Sequence, residues 1–124
     1  MDRTTQFLNN LPKVLNDDGG IAERPSAAVI QNSINFIRSI PTYYQRIIDP
    51  EDCITATTHG TITIDWYFRK NFVSVEIGHT KIGWFSELPD GSNSSSDGID
   101  IQEIPPSAII KSLDKIYNRK EFNK

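Results

Sequence analysis

The sequence predicts a two-layer α+β domain: an antiparallel β-meander of about four strands, with two main helices, at about residues 26–40 and 106–118, packed on one face. Three observations predict it. Between residues 53 and 87 apolar side chains recur at every second position, the period of half-buried strands. On either side they recur at spacings of three and four, the period of amphipathic helices. The 124 residues, 37% hydrophobic and 23% charged, have the size and composition of a single globular domain. A sheet with one apolar face and two helices with one apolar stripe each bury those surfaces against one another.

Along the chain, Phe7, Leu8, Leu11, Val14 and Leu15 fall at helical spacing, with Pro12 interrupting and Asp17-Asp18-Gly19-Gly20 closing the run. Residues 1–24 therefore read as a short helical or irregular arm and a loop. Pro25-Ser26 opens the clearest helix. Ser26 can cap it, and Val29, Ile30, Ser33, Ile34, Ile37 and Ile40 form its buried stripe, opposite Gln31, Asn32, Asn35 and Arg38. Pro41 stops it, because proline disfavours helical dihedrals in the residue before it. Residues 43–52 fit neither period, with a turn at Asp49-Pro50-Glu51.

In the strand region, Ile62, Ile64, Trp66 and Phe68 alternate with polar neighbours, as do Val73, Val75 and Ile77, followed by Ile82 and Trp84. With Lys70-Asn71 as a two-residue turn, Phe68 faces Val73, Trp66 faces Val75 and Ile64 faces Ile77. With His79-Thr80 as the next turn, Ile77 faces Ile82 and Val75 faces Trp84. Both registers collect the large aliphatic residues on one face. Residues 89–98, rich in Ser, Asp and Gly, read as a flexible exposed loop, and residues 99–104 as a short last strand. Pro105-Pro106-Ser107 starts the second helix, with Ile109, Ile110, Leu113, Ile116 and Tyr117 inward. Residues 119–124 read as a frayed tail.

The same registers define the uncovered sheet face. They set Asp65 opposite Glu76, a like-charge pair that destabilises a sheet by ~0.2–1 kcal/mol unless a cation or a diagonal partner such as Lys81 relieves it. Tyr67, Ser74 and Phe85 form the neighbouring row, and exposed aromatics are typical anchors of protein interfaces. Residues 49–110 carry ten acids against three bases, a net −7, whereas residues 111–124 carry a net +3. An acidic sheet and loop, with Asp90, Asp97 and Asp100, suits a basic partner.

Several chemistries lack their residues. The net charge of −3 argues against a general nucleic-acid binder. No apolar run approaches the ~18–20 residues needed to cross a bilayer, and the first ten residues lack the apolar core of a signal peptide. The lone Cys53 makes no internal disulfide, so a cytoplasmic location is expected, and it reads as a small core residue. His59 and His79 sit beside glycines in turns without the spaced second ligands of a zinc site. Asp17-Asp18-Gly19-Gly20 precedes no phosphate-binding loop with a lysine. Two carboxylates on an open sheet lack the pocket that tunes an acid/base pair. No cofactor and no metal ligand are expected.

The run Gly60-x-Ile62-x-Ile64-Asp65-Trp66, then Val73-Ser74-Val75-Glu76-Ile77-Gly78, preceded by Asp18-Gly19-Gly20 and Pro25-Ser26, resembles a family of short uncharacterised bacterial proteins. Its members carry a D-G-x-G/A turn, a P-S helix start, a G-x-I-x-L-E-W strand and a V-x-V-E-I strand. The resemblance covers roughly residues 15–85. Asp65 stands where the family has glutamate, and Asn16 where it often has an aromatic. The resemblance implies an α+β fold, no established activity, and a setting in mobile or accessory gene regions that fits immunity, antitoxin or defence roles.

The sequence thus leads to a non-catalytic protein-binding module, an immunity- or antitoxin-type inhibitor masking a basic, nuclease-like protein with Asp65, Tyr67, Glu76, Phe85, Asp90, Asp97 and Asp100. It would bind neither nucleic acid nor membrane directly. A structural or accessory subunit is the alternative reading, and a small metal-dependent enzyme using Asp65 and Glu76 the third.

Overall fold

Near residue 54 the hydrophobic period changes from about 3.6 to 2, and the backbone changes with it. The computed structural model describes residues 2–17, 25–103 and 107–117, with the backbone alone at 12–17, 94 and 97. Among the described residues four helices come first: α1 (Arg3–Asp17), α2 (Ala27–Ser39), α3 (Thr42–Arg46) and α4 (Pro50–Cys53). Five strands follow: β1 (Ile54–Ala56), β2 (Ile62–Phe68), β3 (Asn71–Ile77), β4 (Lys81–Glu87) and β5 (Asn93–Asp100), and then α5 (Ser107–Ile116). The strands form one antiparallel sheet in the order β1-β2-β3-β4-β5. The fold is α+β, with α2 against β2 and β3 and α5 against β3.

The α2 boundaries follow from side-chain chemistry. Ser26 caps the helix, its Oγ accepting from the Val29 amide at 3.2 Å, and Ile40 before Pro41 leaves helical geometry. Val29, Ile30, Ser33, Ile34 and Ile37 are buried as their spacing predicts; Phe36 is buried too, edge-on to Trp66 with ring centroids 6.3 Å apart. The inner sheet face is Ile62, Ile64, Trp66, Val73, Val75, Ile77 and Ile82, all essentially without solvent contact. Trp66 ties the layers together: its indole Nε1–H donates to the Tyr44 carbonyl at 3.1 Å. The Tyr44 hydroxyl donates in turn to Asp114 of α5.

Four sequence expectations change. First, α1 runs through Pro12 as one helix. An interior proline costs about 3 kcal/mol, and burying Leu8 and Leu11 against the core offsets it at ~1.5–3 kcal/mol each. Asp2 caps this helix, accepting from the Thr5 amide at 2.7 Å, a contact that lowers its carboxyl pKa. Arg3 pairs with Asp49 and Glu51 at 3.3 and 2.9 Å. The expected turn at residues 18–20 lies outside the described residues.

Second, the ambiguous residues 43–52 hold the short helices α3 and α4, and β1 adds a fifth strand beyond them. Third, the Ser/Asp/Gly stretch is not a loop. Asn93–Asp100 pairs along β4, with Ser94, Ser95 and Ser96 opposite Ser86, Phe85 and Trp84. One extra β5 residue opposite Gly83 makes a bulge. Small polar residues and a bulge are means by which an edge strand resists sticking to other edges. The strand expected at 99–104 ends at Asp100.

Fourth, β2 and β3 pair two residues away from the expected register. The turn is Arg69-Lys70, with Phe68 opposite Asn71, Trp66 opposite Val73, Ile64 opposite Val75 and Ile62 opposite Ile77. Arg69 adopts a left-handed φ of 60° to make it. A two-residue slip preserves the inner face and rearranges every pair on the outer one. The β3–β4 register is the one expected, with Ile77 opposite Ile82 and Val75 opposite Trp84.

A cross-linking experiment separates the two registers. Directly opposed residues have Cα atoms about 4.5–5.5 Å apart, within the about 4.4–6.8 Å of a disulfide, whereas diagonal ones lie about 7–8 Å apart. In a Cys53→Ser background, Asp65→Cys with Ser74→Cys is expected to oxidise to an internal disulfide, and Asp65→Cys with Glu76→Cys to stay reduced, read by intact mass. Trp66→Ala should cost about 3–5 kcal/mol in urea unfolding. Trp66→Phe, which keeps a ring and removes the indole hydrogen bond to the Tyr44 carbonyl, should cost about 0.5–1.5 kcal/mol.

Candidate functional site: the outer sheet face

The outer face takes the polar half of each strand's alternation. Among the described residues no helix covers it, and the observed registers arrange it in three rows. Thr63, Glu76 and Gly83 form one; Asp65, Ser74, Phe85 and Ser95 the next; Tyr67, Phe72, Glu87 and Asn93 the third. Each row holds one carboxylate, on a different strand.

This staggering corrects the expected Asp65–Glu76 opposition. Asp65 faces Ser74, whose hydroxyl donates to its Oδ1 at 2.5 Å. Glu76 faces Thr63 and accepts from the Thr61 hydroxyl at 2.5 Å, while Thr61 shares a 2.6 Å hydrogen bond with Thr57. Asp65 is thus oriented by a hydroxyl from the neighbouring strand, and Glu76 by one from the residue just before β2, rather than each being set against another charge. Neither forms an ion pair among the described residues, and Lys81, diagonal to Glu76, makes none with it.

The aromatics also regroup. Tyr67 faces Phe72 directly, with ring centroids 6.2 Å apart, and Phe72 packs on Phe85 at 5.5 Å. Tyr67 is 62% exposed and Phe85 43%, so this aromatic row crosses three strands in contact with water. Phe72 escaped the sequence reading because the slipped register set Ser74 beside Tyr67. The Asp65 carboxylate beside Tyr67, with some help from burial, raises that phenol's pKa above its ordinary value. Between Glu76 and Phe85 lies an open groove of about 460 Å³ lined by Thr63, Ser74, Glu76, Gly83, Trp84, Phe85, Ser95 and Ser96; Asp65 is not part of its lining.

The structure thus gathers Asp65, Tyr67, Glu76 and Phe85 on one surface, and it separates the other three. Asp90 sits in the β4–β5 turn, where the Ser92 amide and hydroxyl donate to it at 2.9 and 2.6 Å and lower its pKa. Asp100 lies at the far end of β5, opposite Lys81, accepting from the Gln102 amide at 2.9 Å. They are turn-forming carboxylates at opposite ends of an edge strand, not one acidic loop. Asp97 lies in the β5 bulge, its side chain outside the described set.

The remaining candidates have structural roles. His79 Nε2 lies 3.1 Å from the Ser26 hydroxyl, and the Asn32 amide donates to the Gly78 and His79 carbonyls at 3.0 Å each, so the β3–β4 turn is latched to the start of α2. The His59 backbone amide donates to Thr57 in the β1–β2 turn. Cys53 ends α4, partly buried, and burial pushes its thiol pKa up, away from the thiolate a nucleophile needs. Among the described residues no three His, Cys, Asp or Glu side chains come together to hold a metal ion, and no helix is long and apolar enough to cross a membrane.

No protein-family model, no curated protein and no solved structure matches the chain.

The phenols supply a test of this geometry. Burial pushes Tyr117, whose hydroxyl donates to the Tyr67 carbonyl at 3.1 Å, from 10.0 to about 12. Because folding raises it, its neutral form favours the folded state: that stabilisation is complete below pH 10.0 and fades as pH climbs to about 12. Absorbance titration should show Tyr117 ionising with alkaline unfolding. Asp65→Asn should lower the Tyr67 pKa and leave Tyr117 unmoved.

Proposed function

We propose that this protein is a non-catalytic binding module that docks its outer sheet face onto a basic protein, as an immunity- or antitoxin-type inhibitor does when it masks a partner's active surface. One observation carries this reading: an uncovered face on which exposed Tyr67 and Phe85 flank carboxylates with no cation partner among the described residues.

Each part of that face has a task in docking. Aromatic rings supply the contact area that carries interface energy. Carboxylates steer a basic surface towards them and exclude an acidic one. The sheet beneath is pinned by a close-packed inner face, so its side chains need little ordering on binding. The turn carboxylates Asp90 and Asp100 add to the long-range field rather than to the contact.

Capture from native lysate on the tagged protein tests this. A basic protein should be retained at low salt, released at high salt, and lost when Asp65→Lys is combined with Glu76→Lys. The double variant should stay folded with a modestly lowered melting temperature, Glu76 being exposed and Asp65 half-buried in its hydrogen bond with Ser74. Its association rate with the captured partner should fall by about tenfold or more, the scale of electrostatic steering. Recovery of the protein alone, or of a salt-resistant assembly, would replace this reading with that of a structural or accessory subunit.

A further inference from the structure

We infer that the groove on the outer face is built to take an arginine side chain of the basic partner in preference to a lysine; this rests on the docking reading above. Glu76 and Ser74 line the groove, while Asp65, the diagonal neighbour of Glu76 about 7–8 Å away, stands behind Ser74, whose hydroxyl donates to it. A guanidinium carries five N–H donors in a planar fork and can meet the Glu76 carboxylate and the Ser74 hydroxyl oxygen together, with Asp65 adding its charge from behind. An ammonium is a compact, strongly hydrated point charge without that reach.

The groove wall makes the same distinction. Phe85, opposite Ser74 and 43% exposed, lines the groove with the carboxylate of Glu76, and Gly83 opposite Glu76 leaves the space beside it free of a side chain. A planar cation can lie against the Phe85 ring while its methylene stem crosses Gly83. The chain already contains one contact of this type, with the Arg69 guanidinium carbon 5.1 Å from the Phe68 ring centre. Charge complementarity fixes the sign of the occupant, and the ring beside the carboxylates fixes its shape. A divalent cation would want more ligands than the pair Asp65 and Glu76 supplies.

Hexa-arginine and hexa-lysine, equal in charge, are the probes, titrated into the whole protein at one ionic strength by calorimetry and amide chemical shift. Hexa-arginine is expected to bind about fivefold or more tighter, the scale of a cation–π contact. Its shifts should centre on Ser74, Gly83 and Phe85. Phe85→Ala should bring the two peptides level while hexa-lysine keeps its affinity, and Phe85→Tyr should restore the difference. Asp65→Asn with Glu76→Gln should weaken both.

Equal affinities for the two peptides on this face would overturn the arginine assignment and leave the docking reading standing with a non-selective basic partner. An arginine preference that survives Phe85→Ala would overturn it as well. Shifts absent from this face with both peptides would overturn the assignment together with the docking reading.

Discussion

The pairing of β2 with β3 is the constraint on which the rest of the structure depends. It sets which aliphatic residues stack under α2, where Trp66 meets Tyr44, and which side chains become neighbours on the outer face. Two registers satisfy the inner face almost equally, because both pair large apolar residues throughout. The outer face decides between them. The observed register replaces an Asp65–Glu76 opposition with Asp65–Ser74 and Thr63–Glu76, and brings Tyr67 onto Phe72. Each such exchange is worth roughly 0.2–1 kcal/mol, and together they are of the same size as the cost of about 1–2 kcal/mol for a left-handed residue at Arg69.

That balance explains what was legible in the sequence. The α2 helix was readable to within a residue because its cap, its stripe and its terminating proline are local signals that agree. The β3–β4 hairpin was readable because its aliphatic pairs and its two-residue turn agree. The β2–β3 register was not: asparagine tolerates the left-handed region better than arginine, so turn chemistry pointed to Lys70-Asn71 while cross-strand chemistry pointed elsewhere. Two further elements were hidden for a related reason. In β5 a run of Ser, Asp and Gly carries no apolar alternation, and it is strand because β4 offers a ladder to pair with. In α1, Pro12 is a true local penalty that tertiary burial of Leu8 and Leu11 overrides.

The candidate site inherits the same division. That Asp65, Tyr67, Glu76 and Phe85 share a face follows from alternation alone, and a two-residue slip cannot alter it. Their mutual arrangement depends on the register, and here the structure changes the chemistry. Opposed carboxylates would have cost about 0.2–1 kcal/mol unless a cation or a diagonal lysine relieved them. Staggered carboxylates, each held by a serine or threonine hydroxyl, are stable without one and remain available to a partner. Phe72 lies on this face by the same alternation, but it links Tyr67 to Phe85 only in this register.

In the docking proposed above, exposure would assign the two kinds of side chain on this face to different stages of an encounter. In water a carboxylate and a cation at 4 Å gain only about 1 kcal/mol, enough to guide an approach and too little to hold it. The aromatic row changes that once contact is made. Rings spanning β2, β3 and β4 beside the groove would then exclude solvent from the carboxylates, and the same charges would interact through a lower dielectric. Salt therefore acts mainly on the approach, where charges are screened within a Debye length of about 8–10 Å, and ring truncation mainly on the dissociation. A face of carboxylates alone would attract basic proteins without retaining them, and a face of aromatics alone would retain without choosing. Phe85 and Glu76, lining one groove on adjacent strands, combine both properties at one point of the sheet.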